Sequence, residues 1–182
     1  MLFIDDFSKF TWLFPLHYKS EDFSKFLEFK AFVETQFSTK LQVLRSDNGG
    51  EYLSKPFQLF LKQKGIEHQL TCPHTPSQNG VAERKHRHLI ETTVTLMHQS
   101  SLPLAYRLDA LASVVFLVNR HPTLKLQNLT PCEVLFKQKP DYTFMRSFGR
   151  RCYPWLKPYT SLKLQTIYVP CVFLGYQPSI KG

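Results

Sequence analysis

Short β-forming runs alternate with longer segments whose apolar residues recur at helical spacing, and that alternation restricts the chain to a layered α/β fold. The opening reads as a hairpin: Met1–Ile4, a turn through Asp5-Asp6-Phe7-Ser8, then Lys9–Leu16, rich in aromatic and β-forming residues. Ser20 is the expected N-cap of a helix running to Phe37. Phe23, Phe26, Leu27, Val33 and Phe37 form its apolar stripe, and Glu21 and Asp22 lie in its first turn, where the helix dipole favours acids. Leu41–Asp47 reads as a strand stopped by the turn Asn48-Gly49-Gly50. Ser54–Lys64 predicts a short helix with Phe57, Phe60 and Leu61 on one side, Pro56 in its first turn and Gly65 at its end. Ile66–Thr71 is a brief strand. The turn-rich run from Pro73 to Gly80 predicts a loop. A helix follows from about Val81 to Gln99, with Glu83, Arg87, Ile90 and Val94 on one stripe that packs inward. Pro103 opens another helix, whose stripe is Leu104, Leu108, Leu111, Val115 and Val118.

A length of 182 residues accommodates one good core plus an appendage. With 43% hydrophobic and 20% charged residues, the chain is expected to be globular and soluble. No window approaches the ~18–20 apolar residues of a membrane span, and the first residues do not resemble a signal peptide. Cys72, Cys132, Cys152 and Cys171 show no metal-finger spacing and read as ordinary small residues in a reducing compartment. The formal charge of +9 favours a polyanionic partner. The excess is strongest at the end: from Lys137 onward there are eight basic residues and one acid, Asp141, with aromatics interleaved. The expected organisation is a core over residues 1–120, followed by a connector and a small basic β-rich segment over 121–182.

Two acids stand out by position. Asp47 ends a strand and Glu83 opens a helix, with 35 residues between them. That spacing alone is a weak signal, and Glu83 is also explained as an acid favoured at a helix start. Placement adds weight, because a strand end and a helix start can converge on one rim of a sheet. There, Mg²⁺ binds carboxylate and phosphate oxygens together, and paired ions ~3.5–4 Å apart stabilise in-line displacement at phosphorus.

The block Leu44-Arg45-Ser46-Asp47-Asn48-Gly49-Gly50-Glu51-Tyr52, followed by Thr75-Pro76-Ser77-Gln78-Asn79-Gly80-Val81-Ala82-Glu83-Arg84-Lys85, resembles the catalytic core of integrases from copia-type long-terminal-repeat retrotransposons. Phe3–Ser8, Phe148-Gly149, Cys152-Tyr153-Pro154 and Cys171–Tyr176 extend the likeness over nearly the whole chain. The resemblance implies a ribonuclease-H-like fold and a D,D-35-E triad in which Asp47 is the second acid and Glu83 the third, both ligands of Mg²⁺ or Mn²⁺. The family's first acid matches nothing here. It lies on a central strand upstream of the block that aligns with Met1, and Asp5 and Asp6 match turn positions. The chain therefore reads as a truncated copy whose metal site is incomplete, whose core is destabilised, and which does not join DNA as it stands.

The resemblance further implies DNA, both element ends and target, as partner, with Gln78 and Asn79 in a DNA-contacting loop and Arg84, Lys85 and Arg87 along the phosphates. It implies self-association, nuclear localisation and no membrane role. Two other functions stay open: a non-catalytic nucleic-acid-binding relic, distinguished by binding without cleavage, and a ribonuclease H, distinguished by cutting an RNA·DNA hybrid.

Overall fold

The computed structural model describes residues 1–16, 18–71, 76–156, 159 and 166–176, with 19 and 76–79 described by their backbone. In chain order the elements are β1 (Leu2–Ile4), β2 (Thr11–Leu13), α1 (Asp22–Phe37), β3 (Val43–Ser46), α2 (Lys55–Lys64), β4 (Glu67–Leu70), α3 (Pro76–Ser100), α4 (Arg107–Val118), α5 (Pro131–Phe136), β5 (Arg151–Cys152) and β6 (Cys171–Val172). Among the described residues the strands form three two-stranded sheets: β1 with β2, β3 parallel to β4, and β5 antiparallel to β6. The runs Met1–Ile4 and Leu41–Asp47 thus lie in separate sheets. No described helix is long and apolar enough to cross a membrane.

The chain divides into two compact units, one of Met1–Phe3 with Leu13–His86 and one of Ile4–Trp12 with Arg87–Gly182. Phenylalanine dominates the core of the first. Phe3 stacks on Phe29 with ring centroids 3.9 Å apart, and Phe14 meets both edge-on. Phe26 and Phe57, at 0% and 1% exposure, lie 4.9 Å apart at its centre, with Phe23 and Phe60 against them. Such pairs add to simple area burial because ring edges are positive and faces negative. α1 begins later than expected: Ser20 lies inside a 3₁₀ turn, Lys19–Glu21, and Glu21 takes the N-cap position. α2 begins after Ser54 and ends at Gly65, whose φ of 67° suits glycine and whose N–H closes the last turn.

In the second unit, α3 turns a different side inward from the one its apolar stripe suggests, and α4 departs from its stripe at the start, although Val115 of that stripe is buried and Leu111 and Val118 are half-buried. The buried row of α3 is Leu89, Thr93 and Met97, whereas Ile90 and Val94 are 41% and 63% exposed. Thr93 is tolerated inside because its hydroxyl donates to Leu89 O at 2.7 Å, satisfying the group within its own helix. On α4 the buried residues are Ala110, Ser113, Val114 and Val115, while Leu108 is exposed, as is Leu104 in the 3₁₀ turn ahead of it. Small residues face inward because other chain segments approach closely. Gly149 (φ 77°) sits where a Cβ would come 2.4 Å from Ser100 Cβ, and Gly175 (φ 125°) where one would come 2.2 Å from Ser113 Oγ. Both glycines are therefore fixed by sterics and backbone conformation together.

α3 also starts earlier than expected, at Pro76, so Ser77, Gln78, Asn79 and Gly80 are helical rather than a loop. Proline is well accommodated in a first turn, where its missing N–H costs nothing and its φ is already helical. α5 was not foreshadowed by any apolar stripe. It is nucleated by a capping box in which Thr130 Oγ1 accepts from Glu133 N–H at 3.0 Å and Glu133 Oε2 accepts from Thr130 N–H at 2.8 Å.

Asp5 and Asp6 serve the hairpin turn. Asp5 Oδ2 accepts from Ser8 N–H at 2.7 Å and from Ser8 Oγ at 2.6 Å, and Asp6 pairs with Lys9 at 2.8 Å. β2 is held by Asn119, whose Oδ1 accepts from Thr11 N–H at 2.9 Å and whose Nδ2 donates to Thr11 O at 2.7 Å. One side chain here stands in for a neighbouring strand. Asn119 and Thr11 are 3% and 1% exposed. Asn119→Ala is therefore expected to destabilise the protein by about 2–4 kcal/mol, because it leaves a buried donor and a buried acceptor unpaired. Urea denaturation measures this; a midpoint unchanged from wild type would mean that water replaces the amide.

Candidate active site

Asp47 follows directly on β3, whose parallel ladder to β4 pairs Leu44 with His68 and Ser46 with Leu70. The chain is pinned there on both sides: Thr71 N–H donates to Ser46 O at 3.2 Å, and Asn48 Nδ2 donates to Thr71 O at 3.0 Å. Asp47 Oδ1 accepts from Gly49 N–H at 3.1 Å, the short Asx turn that its motif favours, while its side chain remains exposed. Glu51 folds back over the same glycine, so that a Cβ at Gly49 would come 2.7 Å from Glu51 Oε1. Negative charge is consequently concentrated at this turn. The phenol of Tyr52 registers it, pushed up to about 12 first by burial and then by Asp22, Asp47 and Glu51.

Beneath the turn runs a chain of polar side chains. Gln58 Nε2 donates to Tyr52 O at 2.7 Å and lies 2.8 Å from His68 Nδ1. Since the amide nitrogen is a donor, Nδ1 accepts, and Nε2–H is left to donate to Ser46 Oγ at 2.9 Å, whose own proton goes to Asp47 O at 2.9 Å. Burial lowers the imidazole below its ordinary value of 6.5. A proton on Nδ1 breaks the Gln58 contact, so the unfolded state takes up protons more readily than the folded one. The contribution of His68 is thus present above about pH 6.5 and is lost as acidification proceeds through its lower folded value. Stability is expected to fall in mild acid, and less steeply in His68→Gln. Denaturation midpoints from pH 8 to 5 test this, and identical profiles for both proteins would contradict it.

Glu83 lies in the second turn of α3, in the same compact unit as Asp47, and is exposed. Arg84, also exposed, folds back one turn over Gly80, where a Cβ would meet its Nη1 at 2.9 Å. Lys85 is half-buried and Arg87, the first helix residue assigned to the second unit, is exposed. Gln78 and Asn79 occupy the first turn of α3, and their side chains fall outside the described residues. Among the described residues, no three His, Cys, Asp or Glu side chains converge as a metal-binding group. Asp47 and Glu83 are nevertheless each the kind of donor a hard cation takes: both are exposed carboxylates, and one oxygen of Asp47 accepts from a backbone N–H beside further negative charge. Residue patterns did not single out His68, Gln58, Tyr52 or Glu51 as partners of this site. Only the β3–β4 register brings His68 under Ser46.

The integrase core domain family matches residues 1–76, a span that includes Asp47 and stops before Glu83. The retrovirus-related Pol polyprotein from transposon RE1 of Arabidopsis thaliana is 44% identical over 176 residues, 97% of this chain. The chain belongs to the retrotransposon integrases. The corresponding polyprotein from transposon TNT 1-94 of Nicotiana tabacum, a copia-type element, is 36% identical over 174 residues, which places this integrase segment with the copia type. The chain spans 12% and 13% of the length of these two relatives. Among solved structures, a simian T-cell lymphotropic virus intasome in complex with PP2A regulatory subunit B56 gamma matches at a TM-score of 0.60 and 18% identity, covering 94% of this chain and 60% of that one. The HTLV-2 integrase catalytic core domain in complex with magnesium, in trimeric form, matches at 0.54 and 20%, covering 73% and 81%. The fold is the α/β ribonuclease-H-like fold of integrase cores.

Proposed function

We propose that the chain contributes to divalent-ion-dependent cutting and joining of duplex DNA, with Asp47 and Glu83 as metal ligands and the basic side of α3 on the phosphates. The observation that carries this reading is Asp47 itself: an exposed carboxylate at the end of a parallel strand, oriented by Gly49 N–H, in a sequence context shared with retrotransposon integrases. Bound there, Mg²⁺ or Mn²⁺ would offset charge developing at phosphorus and align the attacking and leaving oxygens.

The chain's own residues do the positioning. Gly49 N–H holds one oxygen of Asp47 and leaves the other for a cation. The Tyr52 phenol keeps its proton and adds no charge, and the Gln58–His68–Ser46 chain fixes the backbone from which Asp47 projects. Arg84, Lys85 and Arg87 supply cations along one helix for the DNA backbone. In this reading the substrates are element ends and target DNA, the working form contains more than one copy, and the site of action is the nucleus. Magnesium in the HTLV-2 core and its trimeric form support the cation and the self-association.

Salt dependence tests the DNA assignment. Each phosphate contact released contributes a slope of about −0.9 in log K against log salt for duplex DNA. Replacing Arg84, Lys85 and Arg87 together with Ala is expected to flatten the slope by up to about three such contacts. An unchanged slope would place DNA elsewhere on the molecule.

A further inference from the structure

The ribbon made by β5 and β6 carries an open aromatic face. Arg151 faces Val172 and Cys152 faces Cys171. The same register continues past the strands, where Trp155 faces Tyr168 and Leu156 N–H donates to Ile167 O at 2.8 Å. Directly opposed residues share a side of the ribbon and successive residues alternate. One side therefore presents Arg151, Tyr153 and Trp155 beside Tyr168, Pro170 and Val172. These residues are all exposed, Tyr153 and Trp155 at 56% each and Tyr168 at 50%. The opposite side carries Cys152, Cys171, Leu156 and Ile167, all half-buried, together with Pro154 and Val169, which are exposed. Three aromatic rings thus stand in solvent on the side turned away from the protein interior, where burial does not account for them.

Charge narrows what these rings can meet. No Asp or Glu occurs after Asp141, while Arg146, Arg150 and Arg151 are exposed around the ribbon. Flat rings beside cations suit a polyanion that offers flat apolar faces of its own, which describes unpaired bases on a phosphate backbone. Duplex DNA conceals its base faces and offers only phosphate, so it would use the arginines and leave the rings idle.

We propose that this face binds single-stranded nucleic acid, stacking unpaired bases on Trp155, Tyr168 and Tyr153 with Arg151 on the phosphates. It is independent of the Asp47–Glu83 reading and uses none of those residues.

The test is anisotropy with a labelled 15-nucleotide thymidine strand, its uridine RNA counterpart and a blunt duplex of equal length. The proteins compared are wild type, the double variant Trp155→Ala with Tyr168→Ala, and the ring-preserving variant Trp155→Phe. The double variant is expected to lose roughly ten- to hundredfold in affinity for single strands. Its duplex affinity and circular dichroism should match wild type, and Trp155→Phe should retain most single-strand binding. A preference between the DNA and RNA strands would identify which polymer the face takes. Equal losses on single strand and duplex, or no loss on either, would overturn the proposal. So would anionic phosphatidylserine vesicles that bind wild type but not the double variant while single-strand affinity is unchanged, since the face would then be one for lipid. The triple variant of α3 changes duplex binding alone, so failure here and failure of the proposed function remain distinguishable.

Discussion

Phe57→Ala is expected to remove about 3–5 kcal/mol of stability, the range for emptying a buried aromatic site. Phe57 is 1% exposed and sits among Phe23, Phe26, Tyr52 and His68, with ring centroids 4.9–6.2 Å away. The loss is a large fraction of the total stability of an ordinary domain, so partial unfolding at room temperature is expected. Its position gives the substitution a second consequence. Tyr52 follows the Asp47 turn, and His68 supports Ser46 from below, so the cavity opens directly beneath the candidate site. Phe57→Leu keeps most of the volume and should lie between alanine and wild type. Urea midpoints order the three proteins, and an alanine variant as stable as wild type would mean that the phenylalanine cluster is not the core of this unit.

Glu83→Gln and Asp47→Asn are each expected to reduce metal-dependent strand joining by at least about a hundredfold in an active integrase containing these residues. Loss of residues that merely orient metal ligands already costs ten- to a hundredfold. Both substitutions preserve shape and remove one charge, so duplex affinity should stay near wild type and separate chemistry from binding. Residues 1–182 alone are expected not to join pre-cut ends in Mg²⁺ or Mn²⁺, because two carboxylates leave two ions short of a bridging ligand. Full activity in either variant would remove that residue from the mechanism, and robust joining by residues 1–182 would mean that another carboxylate within them completes the site.

Much of this was legible in residue order. The alternation of apolar runs located α1, α2, α3 and α4 and the strands β3 and β4, and the Ser46-Asp47-Asn48-Gly49 sequence marked the end of a strand at an acid. What failed was the assignment of the buried side of α3 and of the start of α4. In α3 the row Ile90, Val94 is more apolar than Leu89, Thr93, Met97, yet the latter is buried, because Thr93 satisfies its hydroxyl internally and Met97 packs with Ala110 and Phe148. Periodicity weighs hydrophobicity and is blind to such local compensation. In α4 the small residues Ala110 and Ser113 are inside because segments carrying Phe148 and Gly175 lie against them, contacts made across 38 or more positions of sequence. The α5 signal was present as Thr130-Pro131-Cys132-Glu133, a capping box too short to be seen by its stripe. The Gln58–His68–Ser46 chain had no local signature, since it exists only through the parallel register.

Whether Asp47 and Glu83 share a cation is the claim on which the functional reading rests, and paramagnetic Mn²⁺ tests it without any DNA. Amide signals within reach of one bound ion broaden together in a ¹H–¹⁵N spectrum. Substoichiometric Mn²⁺ is expected to broaden Asn48, Gly49 and residues 82–84 in the same titration, with excess Mg²⁺ restoring them and either Asp47→Asn or Glu83→Gln weakening the effect at both places. Broadening confined to residues 47–51, with the signals around Glu83 unchanged, would contradict a shared site.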